Sequence, residues 1–163
     1  MFSDVSIIGV FAEDVREEKG GAETLVGIFT DNVLVPGIPG QFAKLVIYVR
    51  AHFPVTLTPA PIDILLRVPG TADIQLSTFD EALIAKTLRE SKEQGSPIVA
   101  LISRATAAPF PIIAAGRYLV ICRSEGIERV AITMNVITSA SAVSTNETPP
   151  PSSQSAPAAS STS

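Results

Sequence analysis

Turn-forming residues recur along this chain and cut every apolar run short. Gly20-Gly21, Pro36-Gly37, Pro39-Gly40, Pro59 and Pro61, Pro69-Gly70 and Ser124-Glu125-Gly126 stand between segments rich in Val, Ile, Leu and aromatic residues. Proline removes a backbone donor and fixes φ, and glycine supplies positive φ, so neither a long helix nor a continuous strand passes through such points. The segments left between them are 5–11, 23–29, 41–53, 62–68, 72–76, 98–102, 117–122 and 129–137. Short strands at this spacing predict a mainly β chain: an antiparallel sandwich of about eight strands.

One stretch departs from that rhythm. Thr78-x-x-Glu81 has the form of a capping box, Phe79/Leu83 and Ile84/Leu88 are spaced i,i+4, and Gly95 and Pro97 stop the run. The spacing predicts one helix over about 79–94, inserted between two strands, where it covers an open sheet edge. At Ser139 the composition changes again. Of the residues in 139–163, 21 are Ser, Thr, Ala or Pro and only Glu147 is charged. Too little apolar area is present there to offset the entropy of ordering it. The expected organisation is a β-sandwich domain over 1–138 and a disordered tail over 139–163.

Composition removes several function classes. The chain has 12 Lys+Arg against 16 Asp+Glu, for a net charge of -4, and its basic residues are scattered. Nucleic-acid binding by counterion release needs them clustered. One His (His52) and one Cys (Cys122) supply too few ligands for an ordinary zinc site, so no metal and no cofactor is expected. Asp31, Asp63, Asp73 and Asp80 form no D-x-D pair of the kind that gathers calcium oxygens. No apolar run approaches the roughly 20 residues of a membrane-spanning helix. An acidic start, Asp4 where a leader carries Lys or Arg, predicts a cytoplasmic protein without a membrane role.

Two groups of residues carry a resemblance. Ala115-Gly116-Arg117-Tyr118-Leu119-Val120, then Ser124-Glu125-Gly126 and 129–136, resemble the last hairpin of immunoglobulin-like sandwiches. Asp14-Val15-Arg16, Gly20-Gly21 and Thr24-Leu25-Val26-Gly27-Ile28-Phe29 follow one another near the N-terminus. Together they resemble a family of small uncharacterised bacterial proteins with an Asp-Val-Arg element and a Thr-Leu-Ile-Gly-Ile-Phe-like strand. The resemblance covers about 4–53 and 109–137. It implies an immunoglobulin-like or C2-like sandwich, intracellular, and assigns no activity; a sandwich hosts many unrelated functions.

No catalytic constellation stands out. A Cys122–His52 dyad requires an apolar-strand cysteine to act as a nucleophile, and no G-x-S-x-G element or phosphate loop is present. Asp14, Arg16 and Glu17 at the end of the first strand are the candidate binding residues, Arg16 to grip an anion and Asp14 to orient it. Structurally, the same pair at i,i+2 shares one strand face and ties neighbouring strands. Leu119 and Ile121 lie opposite Tyr118, Val120 and Cys122 on a strand apolar on both faces, which makes them candidate interface residues. The expected function is non-enzymatic: a module that binds a protein partner or assembles with itself. Two alternatives stand beside it, a carboxylate- or metal-dependent enzyme using Asp14 or Asp31, and a structural part of a phage-derived or defence assembly.

Overall fold

Alternation of burial along the strands shows how the chain divides its faces. In the strand Leu45–Pro54, Leu45, Ile47, Val49, Ala51 and Phe53 are buried and the residues between them face outward. In Gly116–Ser124, Tyr118, Val120 and Cys122 are buried on one side. A computed structural model describes residues 2–139 and places these two rows on facing sheets over one core. The period-2 projection of side chains from a pleated strand is what lets each sheet contribute one apolar face.

After a short helical turn at Phe2–Asp4 come β1 (Ser6–Glu17), β2 (Glu23–Ile28), β3 (Asn32–Val35), β4 (Gly40–Phe42), β5 (Leu45–Pro54), β6 (Ile62–Arg67) and β7 (Ile74–Phe79). The helix α1 (Glu81–Glu93) precedes β8 (Ile98–Ala107), β9 (Phe110–Ile112), β10 (Gly116–Ser124) and β11 (Ile127–Thr138). One sheet has the order β2-β1-β5-β8, the second β3-β11-β10-β6-β7, and β4 pairs with β9 in a small ladder of its own. Peptide bonds Ile38–Pro39 and Ala108–Pro109, one before each strand of that ladder, are cis.

Among the described residues the fold is mainly β with one inserted helix, and the strands number eleven rather than about eight. Two strands missed by the pattern, β3 and β9, are only four and three residues long. The run expected over 41–53 breaks at Ala43-Lys44, because Phe42 turns aside to pair with Phe110. The expectation of antiparallel pairing throughout fails at one edge, where β3 runs parallel to β11. The strand expected at 72–76 is shifted to Ile74–Phe79, so buried Phe79 ends a strand and does not open the helix. Asp80 is the helix cap: its carboxylate accepts from the Leu83 amide at 2.6 Å. Thr78 instead donates its hydroxyl to Asp63. A carboxylate one residue before the first turn satisfies an orphan amide and also meets the positive end of the helix dipole. Only Ile84 and Leu88 of α1 are buried, one i,i+4 stripe that enters the core. The tail expected over 139–163 lies, apart from Ser139, outside the described residues.

Candidate functional site

The candidate binding residues sit where β1 changes partners. Its first half pairs with β5 from Ser6 to Ala12, and its second half with β2 from Ala12 to Glu17. Arg104 on β8 lies across from Tyr48, which lies across from Val10. Glu17 is seven residues beyond Val10, roughly 23 Å along a straight strand. Yet Arg104 donates to Glu17 at 3.0 Å and pairs with Glu23 at 2.6 Å. The β1–β2 hairpin therefore bends after Ala12 and arches back over the outer face of its own sheet. Ala12 and Val46, opposite each other on the outward row at the bend, are buried. Glu17 and Glu23 face each other directly in the hairpin, and Arg104 bridges two like charges that would otherwise repel. Loss of hydration and then the adjacent Glu23 carboxylate push the Tyr48 phenol above its ordinary value.

The three residues singled out from sequence do not converge. Asp14 accepts from the Lys44 ammonium at 2.5 Å, and that hydrogen bond holds its carboxyl below the usual carboxylate range. Arg16, 65% exposed, lies 3.7 Å from Asp14, and Glu17 belongs to the Arg104 bridge instead. Lys44 thus ties Asp14 to the segment that leads into β5, and Arg16 stands beside Asp14 on the same strand. A neighbour the sequence reading passed over, Glu13, borders a hollow of about 330 Å³ with Phe29, Phe42 and Lys44. Its side chain folds against Gly27, where a Cβ would stand 2.5 Å from Oε2.

Ile121 is 1% exposed although it points away from the core. It lies across from Leu65, and Arg67 and Arg123 stand to either side of that pair in the register of β6 and β10. Arg67 donates to both oxygens of Asp73 at 2.7 Å, and Arg123 donates to Glu128 at 2.5 Å and to Asp73 at 3.2 Å. The four charged groups close a ring over the aliphatic pair, and the guanidinium stems supply the cover. Leu119, next along β10 and across from Arg67, is half-buried.

That ring has a pH signature. Hydrogen bonds from Arg67 and Arg123 hold the carboxyls of Asp73 and Glu128, respectively, below their ordinary values of 3.8 and 4.5. The unfolded chain then binds more protons in acid, so the stabilisation is present above pH 4.5 and is lost as pH falls through the lowered values. Urea midpoints at neutral pH and in acid are expected to fall less far in the Arg67→Gln/Arg123→Gln variant than in the parent. Equal acid losses would show that the ring contributes nothing to the pH dependence.

His52 and Cys122 lie in different sheets, His52 on the outer face of β5 and Cys122 on the inner face of β10. Burial pushes the Cys122 thiol up to about 11, the behaviour of an inert core cysteine. Asp63 accepts from Thr78 and Gln75, and Asp80 caps α1.

The remaining site is an edge. Strand β8 has ten residues, pairs with β5 without a register shift from Ile98 to Ala107, and ends its sheet. Among the described residues no strand pairs with its second side. Its sequence, IVALISRATA, has one charge and no proline, and that charge is occupied by Glu17 and Glu23. Ile98 and Ile102 are 56% and 45% exposed. Beside its upper half an apolar slot of about 140 Å³ opens between the sheets, bounded by Leu66, Ile74 and Leu76 on one side and Ala105, Ala107 and Phe110 on the other. The opposite edge strand, β7, is six residues long and carries a register shift. Sequence reading located part of β8, 98–102, but only the sheet order reveals that it is an edge.

No model of a known protein family matches the chain, and no curated protein or solved structure matches it either. No helix among the described residues is long and apolar enough to cross a membrane.

Proposed function

We propose that this is a non-enzymatic β-sandwich module that acts by accepting a strand on the free edge of β8, either from a partner protein or from another copy of itself. The observation that carries the reading is the undefended edge: ten residues in unbroken register, without a lysine, proline or bulge. Proteins that must keep such an edge unpaired shorten it, charge it or bend it away. Main-chain hydrogen bonds supply affinity in strand addition, and pockets for alternate side chains supply selectivity. The slot beside Ala105 and Ala107 is a pocket of that kind.

We also propose an immunoglobulin-like arrangement of the two sheets. It is supported by the sheet orders β1-β5-β8 and β11-β10-β6 and by the Tyr118 hydroxyl, which donates to the carbonyl four residues upstream as a tyrosine corner does. Membership of the small bacterial family and a cytoplasmic setting rest on the sequence resemblance.

The test is affinity purification of the tagged chain from its own host, alongside an Ala100→Lys/Ile102→Lys variant. Both substitutions lie on the outward row of β8 and leave the core row intact. Recovery of a stoichiometric partner, or of untagged chain, that disappears with the variant is the expected result. Equal recovery with both baits, or none with either, overturns the reading.

A further inference from the structure

The inward row of β8 reads Val99, Leu101, Ser103, Ala105, Ala107. Its first half is large and its second half small, and the apolar slot opens only beside the small half. The helix α1 touches β8 and sends Ile84 and Leu88 into the core, and the slot opens between β7 and the small half of β8. Ser77 and Ser103, hydrogen-bonded at 2.5 Å, mark the middle. An edge that is large at one end, and small beside an open slot at the other, complements its own copy turned by 180°.

We infer that the occupant of this edge is a second copy of the chain, its β8 added antiparallel with Ser103 on the two-fold axis. The inference rests on the strand-accepting reading above and names its partner. A two-fold perpendicular to a sheet pairs inward residues with inward residues, so the register is limited to a few choices. With Ser103 opposite Ser103, Leu101 of each copy stands across from Ala105 of the other, and Val99 across from Ala107. Both large side chains of one copy then close the other's slot. A shift that centres Ile102 puts Leu101 across from Ser103 and leaves Ala107 open. A shift the other way sets Arg104 against Arg104, two like charges directly opposite. In the favoured register Arg104 faces Ile102, and each Arg104 keeps its own Glu17 and Glu23. The product is one continuous sheet of eight strands, with no free edge at its centre.

The register is tested with Ser103→Cys in the full chain under mild oxidation. Directly opposed residues of an antiparallel pair have Cα atoms about 4.5–5.5 Å apart, inside the range a disulfide spans. A reductant-sensitive dimer is expected for Ser103→Cys and not for Thr106→Cys, whose opposite number is Ala100. Buried Cys122 does not compete. Ala105→Leu fills the slot from within its own copy and keeps the core apolar, so in sedimentation velocity it is expected to raise the dimer Kd at least tenfold. A dimer that forms without the Ser103→Cys cross-link, or with Kd unchanged by Ala105→Leu, overturns the inference. So does a monomer in which hydrogen exchange finds protection at the β8 amides that point away from β5, because another part of the chain then occupies the edge. If the chain is monomeric with unprotected amides on the free side of β8, yet the tagged bait recovers a different protein that the edge variant loses, the strand-accepting reading stands and the second copy is excluded.

Discussion

Replacing Tyr118 by Ala is expected to destabilise the fold by about 3–5 kcal/mol, the range for deleting a buried aromatic side chain. Tyr118 is 0% exposed, and its ring meets Phe110 edge-on at 6.3 Å. Phe110 stacks on Phe42 at 6.4 Å, and Phe42 meets Phe29 at 5.0 Å. This row connects the main core to the β4–β9 ladder, so the loss reaches beyond one cavity. The hydroxyl is a separate contribution: it donates to the Ala114 carbonyl at 2.8 Å, in a place where loss of hydration raises the phenol above its ordinary value. Tyr118→Phe removes only that bond and is expected to cost about 1–3 kcal/mol, since a partly buried carbonyl loses its donor. Urea denaturation of both variants separates packing from hydrogen bonding. Equal losses would show that the row of rings carries little of the stability.

The second large effect is expected at Gly9, through added volume. Gly9 faces inward on β1, and a Cβ there would stand 2.8 Å from the Ile132 Cγ2 and 3.1 Å from the Ala131 carbonyl carbon of β11. Part of the obstruction is backbone, which does not swing aside. Gly9→Val is therefore expected to cost about 3 kcal/mol, the upper end of the usual range for overpacking. Gly37, with no atom within 4 Å of its Cβ position and no positive φ, is the control. Gly37→Ala is expected to stay within about 0.5 kcal/mol of the parent. A Gly9→Val variant with unchanged thermal stability would mean that the sheets part at no cost, against the close packing of β1 on β11.

What each residue does in the candidate site was legible to different depths. The Asp14–Arg16 pair was visible as charges at the end of a strand, and the i,i+2 spacing put them on one face. Lys44, the residue that holds Asp14, is 30 positions away, and no local pattern names it. Glu17 was grouped with Asp14 by adjacency, yet the bend after Ala12 sends it to Arg104, 87 positions on. Ile121 was read as one side of a doubly apolar strand, which is correct for the strand. Its cover comes from Arg67 and Arg123, two of the most polar side chains in the chain, because long guanidinium stems spread over aliphatic surface while their heads pair with acids.

The helix taught a similar lesson on a smaller scale. Its existence and its Ile84/Leu88 stripe followed from a 3.6-residue period, and Gly95 and Pro97 marked its end. Its start was displaced by two residues because Thr78 and Asp80 both suit a cap, and the choice between them depended on whether Phe79 was needed by β7. That need is tertiary: Phe79 pairs across from Ile62 and joins the core.

Residue pattern alone is enough for a mainly β fold with one helix among the described residues and for the face of β5 and β10 that enters the core. These properties are local, set by backbone restrictions at Pro and Gly and by side-chain periodicity within single segments. The order of the strands comes from tertiary packing, and with it the parallel pairing of β3, the arched hairpin, the ring over Ile121 and the free edge of β8. A strand's sequence records which of its faces is apolar; it does not record which strand lies beside it, because main-chain hydrogen bonds are the same for every neighbour.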